Sequence, residues 1–207
     1  MAMHTTTLRK EIVNGLAFIC QQLEEMQRNL NAYKWAVIGI DNTFQNALTY
    51  CFADTVAVNI LREKIRPRVL AAIEESRKGG APNWPNEKLD EFPHLLDLAL
   101  ESPLRFVNSQ PFKLDQKQKD VINAFHDLRN RFIHFHPHTF IYDPIAGLGD
   151  IELVIECIRF LIFESGNFVP DLSPEGMAIG GAEMEESLSR IKRAIATLRQ
   201  LSLEPTD

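Results

Sequence analysis

Positive charge is what this sequence has least of. Its 28 aspartates and glutamates outnumber 22 lysines and arginines, for a formal net charge of −6. That balance excludes a protein held on nucleic acid by a generally basic surface, but it leaves room for a local basic groove. Cysteine is scarce as well. Cys20, Cys51 and Cys157 lie within apolar helical patterns, and none has CxxC spacing. An odd set of this kind excludes a disulfide scaffold and reads as reduced, buried thiols in a reducing compartment. Long apolar runs are missing too. Trp35–Ile40 and Leu153–Phe163 are the most apolar stretches, and they are too short and too interrupted to span a bilayer. The opening MAMHTTTLRK has no apolar signal-peptide core. The expectation is a soluble, cytoplasmic chain with no membrane partner.

What is present is helical periodicity. At 207 residues and 45% hydrophobic content the chain can bury one substantial core, so a single domain over residues 1–207 is expected. From Thr7 the apolar positions Leu8, Ile12, Leu16, Ile19, Leu23, Met26 and Leu30 recur every three or four residues, with threonines ahead to cap the helix. A more buried helix is expected from about Ala32 to about Glu63. No proline interrupts it, and its Gly39 suits close approach of another helix. Pro67 opens a further turn through Glu75. The stretch from Lys78 to Asn86, rich in glycine, proline and asparagine, then breaks the pattern, with Trp84 expected to pin it to the body.

Helices are next expected over Pro93–Leu100, from near Asp115 to Pro137, over Ile151–Phe163 and, charged and amphipathic, over Glu183–Leu201. A flexible loop is expected at Gly176–Gly181. Thr139–Tyr142 is a candidate strand with nothing to pair with, and no internal repeat is visible. The fold class is all-α, a bundle of about five to seven helices.

The most unusual stretch is LRNRFIHFHPH, Leu128 to His138. Three alternating histidines, His134, His136 and His138, would share one face of an extended segment and suit zinc, copper or nickel. The run begins inside a helical pattern, however, where residues two apart diverge, and Pro137 stands among the ligands. No acidic or cysteine partner follows at a recognised spacing. Histidines at a helix C-terminus also interact well with exposed carbonyls, and this is the favoured reading over a metal site. Arg129 sits at the edge of the apolar stripe, about 40° from Phe125, so it must pair or line a cleft. On a continuing helix His134 would lie about 140° from Arg129. The two converge only if the helix loosens or a second chain completes the site.

Arg129-Asn130-x-x-x-His134, within LRNRFIHFHP, resembles the R-x4-H signature of the HEPN superfamily (higher eukaryotes and prokaryotes nucleotide-binding domains). Trp35 to Leu48 is similar to the long early helix of those proteins, and the likeness spans about residues 32–163. The resemblance implies a small helical bundle and, in its catalytic form, a metal-independent endoribonuclease of toxin–antitoxin or antiphage-defence type. It implies an RNA substrate, no cofactor, a homodimer whose two motifs meet, and an antitoxin or defence protein as a further partner.

Under this resemblance Arg129 clamps the scissile phosphate, His134 acts as general base or acid, and Asn130 orients His134 or bonds a phosphate oxygen. His136 stands where some such toxins carry a tyrosine modified by a partner enzyme, so that form of regulation is not supported. Asp41, Gln45 and Thr49 make a polar stripe at i, i+4 and i+8. It reads equally as a shell supporting Arg129, with Asn42 able to substitute, or as a buried network fixing helix register. His126, one turn before Arg129, borders the same groove or is simply exposed. A non-catalytic dimerisation or nucleotide-binding module remains the alternative, and an unrelated helical scaffold a third.

Overall fold

Thr7 accepts a hydrogen bond from the Lys10 amide and starts α1, Leu8–Glu25, as its position before the periodic stretch predicts. The computed structural model describes residues 7–53, 57–86, 88–101, 109–134, 140–168 and 180–203. Among these residues the chain forms seven helices and no strand. After α1 come α2 (Ala32–Phe52), α3 (Arg66–Arg77), α4 (Phe92–Glu101), α5 (Gln116–Ile133), α6 (Leu148–Phe163) and α7 (Gly181–Leu201). This is the all-α bundle the periodicity predicts. The Gly176–Gly181 loop falls mostly outside the described residues.

α2 is the axis of the molecule. Lys34 and Asp41 are its only charged residues, and it is buried on several sides because α1, α4, α5 and α6 all pack on it. Two glycines set how close α1 comes. A Cβ on Gly39 would run into Phe18, and one on Gly15 would overlap the Thr43 hydroxyl. The expectation for Gly39 therefore holds, and Gly15 answers it from the facing helix. One continuous core joins Ile12, Leu16 and Ile19 of α1 to Ile40 and Phe44 of α2, Ile122 and Phe125 of α5, Ile155 and Ile158 of α6, and Ile191 of α7. Outside it, α7 is tied to α1 through Arg190–Glu24 and to α6 through Arg199–Glu152 and Lys192–Glu156. The three cysteines are buried and form no disulfide with one another, as expected, and burial pushes the Cys157 thiol up to about 12.

Three expectations need correction. α2 ends at Phe52 rather than near Glu63. The Asn59 amide takes the Phe52 carbonyl at 2.7 Å, and Val58 and Leu61 leave the main core. They pack instead with Val69, Ile65 and Ile73 of the α3 region, a small second cluster. Periodicity reports that residues are apolar, not which neighbour takes them. Leu61 makes an isolated antiparallel bridge to Leu89, which closes this 57–91 segment into a unit of its own. Trp84 does not pin the glycine–proline stretch, since 51% of it is exposed while the neighbouring Pro85 is buried. Phe140–Tyr142 is irregular rather than a strand, and its rings pack against Phe132 and Tyr33.

Candidate functional site

α5 begins with a capping box. Asp115 accepts from the Gln118 amide while the Gln118 side chain accepts from the Asp115 amide. From there the helix runs unbroken to Ile133 across α2. His126, Arg129 and Asn130 fall at i, i+3 and i+4 and so share one face. That face meets Asp41 and Asn42 of α2.

Asp41 is the centre of the cluster and is 1% exposed. A buried carboxylate is costly unless it is paired and hydrogen-bonded. Asp41 meets that requirement from three sides. Its Oδ1 lies 2.9 Å from His126 Nδ1, its Oδ2 accepts from Gln45 Nε2 at 2.8 Å, and Arg129 Nε stands 3.4 Å from Oδ2. An ionised carboxylate only accepts, so the first contact is a hydrogen bond when Nδ1 of His126 carries the proton. The His126 ring is fixed on its other side by stacking on Phe92, with centroids 4.3 Å apart. The Arg129 Nε contact is an ion pair without hydrogen-bond geometry, for Nε is buried and makes no hydrogen bond.

Two amides hold the rest of the guanidinium. Arg129 Nη1 donates to Asn130 Oδ1 and Nη2 donates to Asn42 Oδ1, each at 2.9 Å. Each Nη carries two hydrogens, so one on each is left for an anion. The side chain is 21% exposed, enough for a ligand to reach it from solvent. The arrangement is a fixed, partly exposed cation with N–H groups left over, which suits binding of a phosphate.

His134 is placed differently. It is the C-cap of α5, with φ −92° and ψ 107°, so the helix does loosen at this residue. Its amide still bonds the Asn130 carbonyl at 2.9 Å, while its side chain is exposed. Among the described residues no hydrogen bond or ion pair joins it to Arg129. The structure thus brings together Arg129, Asn130, Asp41, Asn42 and Gln45, and leaves His134 at the free helix end. His136, along with Pro137 and His138, lies outside the described residues. Among those described, no group of three or more histidine, cysteine or acidic side chains is placed to hold a metal ion.

The polar stripe on α2 divides. Asp41 and Gln45 are bonded to each other, whereas Thr49 is buried with its hydroxyl unpartnered. His126 is the residue the sequence left undervalued. Its spacing of three from Arg129 puts it on the same face, but nothing local says that Asp41, 85 positions earlier, waits opposite.

No protein-family model, curated protein or solved structure matches this chain. Fold and geometry define its class as an all-α helical bundle with an aspartate–histidine–arginine cluster between its central helix α2 and α5. No helix among the described residues is long and apolar enough to cross a membrane.

Proposed function

We propose that this protein is a metal-independent endoribonuclease of the HEPN type, cytoplasmic, acting as a homodimer in toxin–antitoxin or antiphage defence. The observation that carries this reading is Arg129, preset by Asp41, Asn42 and Asn130, with two donors free and His134 at the open end of its helix. In the reaction a base takes the proton from a ribose 2′-hydroxyl, and the 2′-oxygen attacks the adjacent phosphorus. The bond to the 5′-oxygen breaks, and that oxygen leaves with a proton from an acid. The products are a 2′,3′-cyclic phosphate and a 5′-hydroxyl. Arg129 binds the phosphate oxygens as charge builds on them. His134 serves one of the two proton transfers, being able to exchange protons near neutral pH. The second is served by His134 of another copy, which is the reason the reading includes a dimer.

The test is cleavage of labelled RNA by purified protein in EDTA, with His134→Ala and Arg129→Ala alongside. The expected result is EDTA-resistant cleavage ending in cyclic phosphate and reduced at least 100-fold, a typical acid–base contribution, in both folded variants. Equal cleavage by all three proteins would sink the assignment. An inactive wild type that still binds nucleotides would instead favour the non-catalytic module, a reading supported by the net charge of −6.

A further inference from the structure

Beside Asn42 a cleft of about 620 Å³ opens between α1 and α2, lined also by Leu89 from the segment before α4. Volumes of this order are those of small-molecule sites. Among the described residues Glu11 is the only formally charged one lining the cleft. Two aromatic rings and four amides, Phe18 and Trp35 with Asn14, Asn42, Gln45 and Asn46, line it beside the Thr43 hydroxyl and the aliphatic Ile38 and Leu89.

These residues are arranged, not scattered. Trp35, Asn42 and Asn46 follow helical spacing along one face of α2, and Asn14 and Phe18 do so on α1. The floor is narrow because Gly15 and Gly39 let the helices touch there. Trp35 is 51% exposed and Phe18 38%, in a chain whose other large apolar groups mostly find a core. Lys34 Nζ lies 5.3 Å from the Trp35 ring centroid and puts a positive charge at the rim. The amides retain capacity to bond. Asn42 spends its oxygen on Arg129 and keeps its NH2 donors, while Gln45 spends a donor on Asp41 and keeps its oxygen. Among the described residues the side chains of Asn14 and Asn46 make no hydrogen bond.

A ligand for such a cleft is uncharged, flat and apolar on its faces, with donors and acceptors along its edge. We infer that the α1–α2 cleft is a nucleobase subsite, taking an unpaired base of the RNA strand whose phosphate sits on Arg129. Aromatic faces stack bases and amides read their edges, which is how single-stranded nucleic acid is held. Asn42 links the two halves, since one amide both braces the phosphate-binding guanidinium and lines the base pocket. The inference rests on the proposed function for its strand but not on cleavage.

The test uses the full chain with Trp84→Phe, leaving Trp35 as the sole tryptophan. Its fluorescence is followed while adding short single-stranded oligoribonucleotides methylated at every 2′-oxygen, and abasic oligomers of the same length. Methylation forbids 2′-attack, so binding is read whether or not the protein is a nuclease. Expected are quenching by the oligomers with bases, affinity at least tenfold weaker for the abasic ones, and a further tenfold loss of discrimination among bases in Asn46→Ala and Asn14→Ala. In a Trp35→Ala variant with unchanged circular dichroism, oligomer affinity measured by anisotropy falls about tenfold. Equal binding of abasic and natural oligomers overturns the inference. So does a Trp35→Ala protein that keeps its RNA affinity but no longer self-associates, which would assign the cleft to a second copy of the chain. Quenching without RNA cleavage would uphold the base subsite and count against the nuclease alone.

Discussion

Among the described residues lie two aspartate–histidine–arginine clusters, wired alike and set in opposite surroundings. In each, Oδ1 of the aspartate meets a histidine Nδ1 and Oδ2 faces an arginine. Asp41 stands 2.9 Å from His126 and 3.4 Å from Arg129, and Asp90 stands 3.1 Å from His94 and 2.9 Å from Arg66. The side chains of the first are 1, 14 and 21% exposed, and those of the second 10, 68 and 37%. The inner cluster joins α2 to α5 across the main core. The outer one fastens the 57–91 segment to the start of α4, where the Arg66 Nε also caps the Leu61 carbonyl. The same three residue types therefore do different work. Water and salt screen the outer cluster, whereas the inner one cannot lose a member without stranding a charge.

The largest effect is expected for Asp41→Ala. It strands Arg129 and His126 at once and should cost about 3–5 kcal/mol in urea denaturation, the range for breaking a buried pair. A loss below about 1 kcal/mol would mean that the inner cluster is as weakly coupled as an exposed one. A double-mutant cycle between Asp41 and Arg129 should next give a coupling of about 1–3 kcal/mol, against less than about 1 for Asp90 and Arg66. Equal couplings would erase the distinction. Asp90→Ala alone should cost about 1 kcal/mol and speed amide exchange in the 57–77 region while leaving α2 and α5 protected.

The smallest effect is one of pH. Burial pushes the Asp90 carboxyl up, but the bonds from His94 and from the Glu91 amide, with the Arg66 charge, outweigh it and hold the carboxyl below its ordinary range. The bond to Asp90 raises His94 in turn. The Asp90 contribution is thus present above about pH 4 and lost as pH falls through its depressed value. That of His94 is present below about pH 6.5 and lost as pH rises through its raised value. Attachment of the 57–91 segment should be firmest between those limits, with the alkaline loosening absent in His94→Gln. Amide exchange at pH 5.5 and 8 checks this.

Much of this was legible in the residues. Helix starts at Thr7 and Asp115 follow from local capping chemistry, and Gly39 follows from the need for close approach. Arg129 declared its need for a partner by standing at the edge of an apolar stripe. What the sequence could not state was the partner's identity. Asp41 and Asn42 were candidates among several polar residues, and His126 looked like an ordinary exposed side chain. The end of α2 is hidden in the sequence for the same reason, since Val58 and Leu61 continue an apolar pattern while belonging to another cluster.

The sequence by itself determined that the chain is all-helical, where most helices begin, and which side chains carry charge, because capping, periodicity and proline act within a few residues. Tertiary structure alone decided that Asp41 meets His126 and Arg129 across 85 and 88 positions, that His134 stands at a free end, and that Trp35 and four amides share a cleft. These outcomes depend on how α2 is oriented against α1 and α5. That orientation follows from the whole core and from two close-contact glycines, not from any local rule.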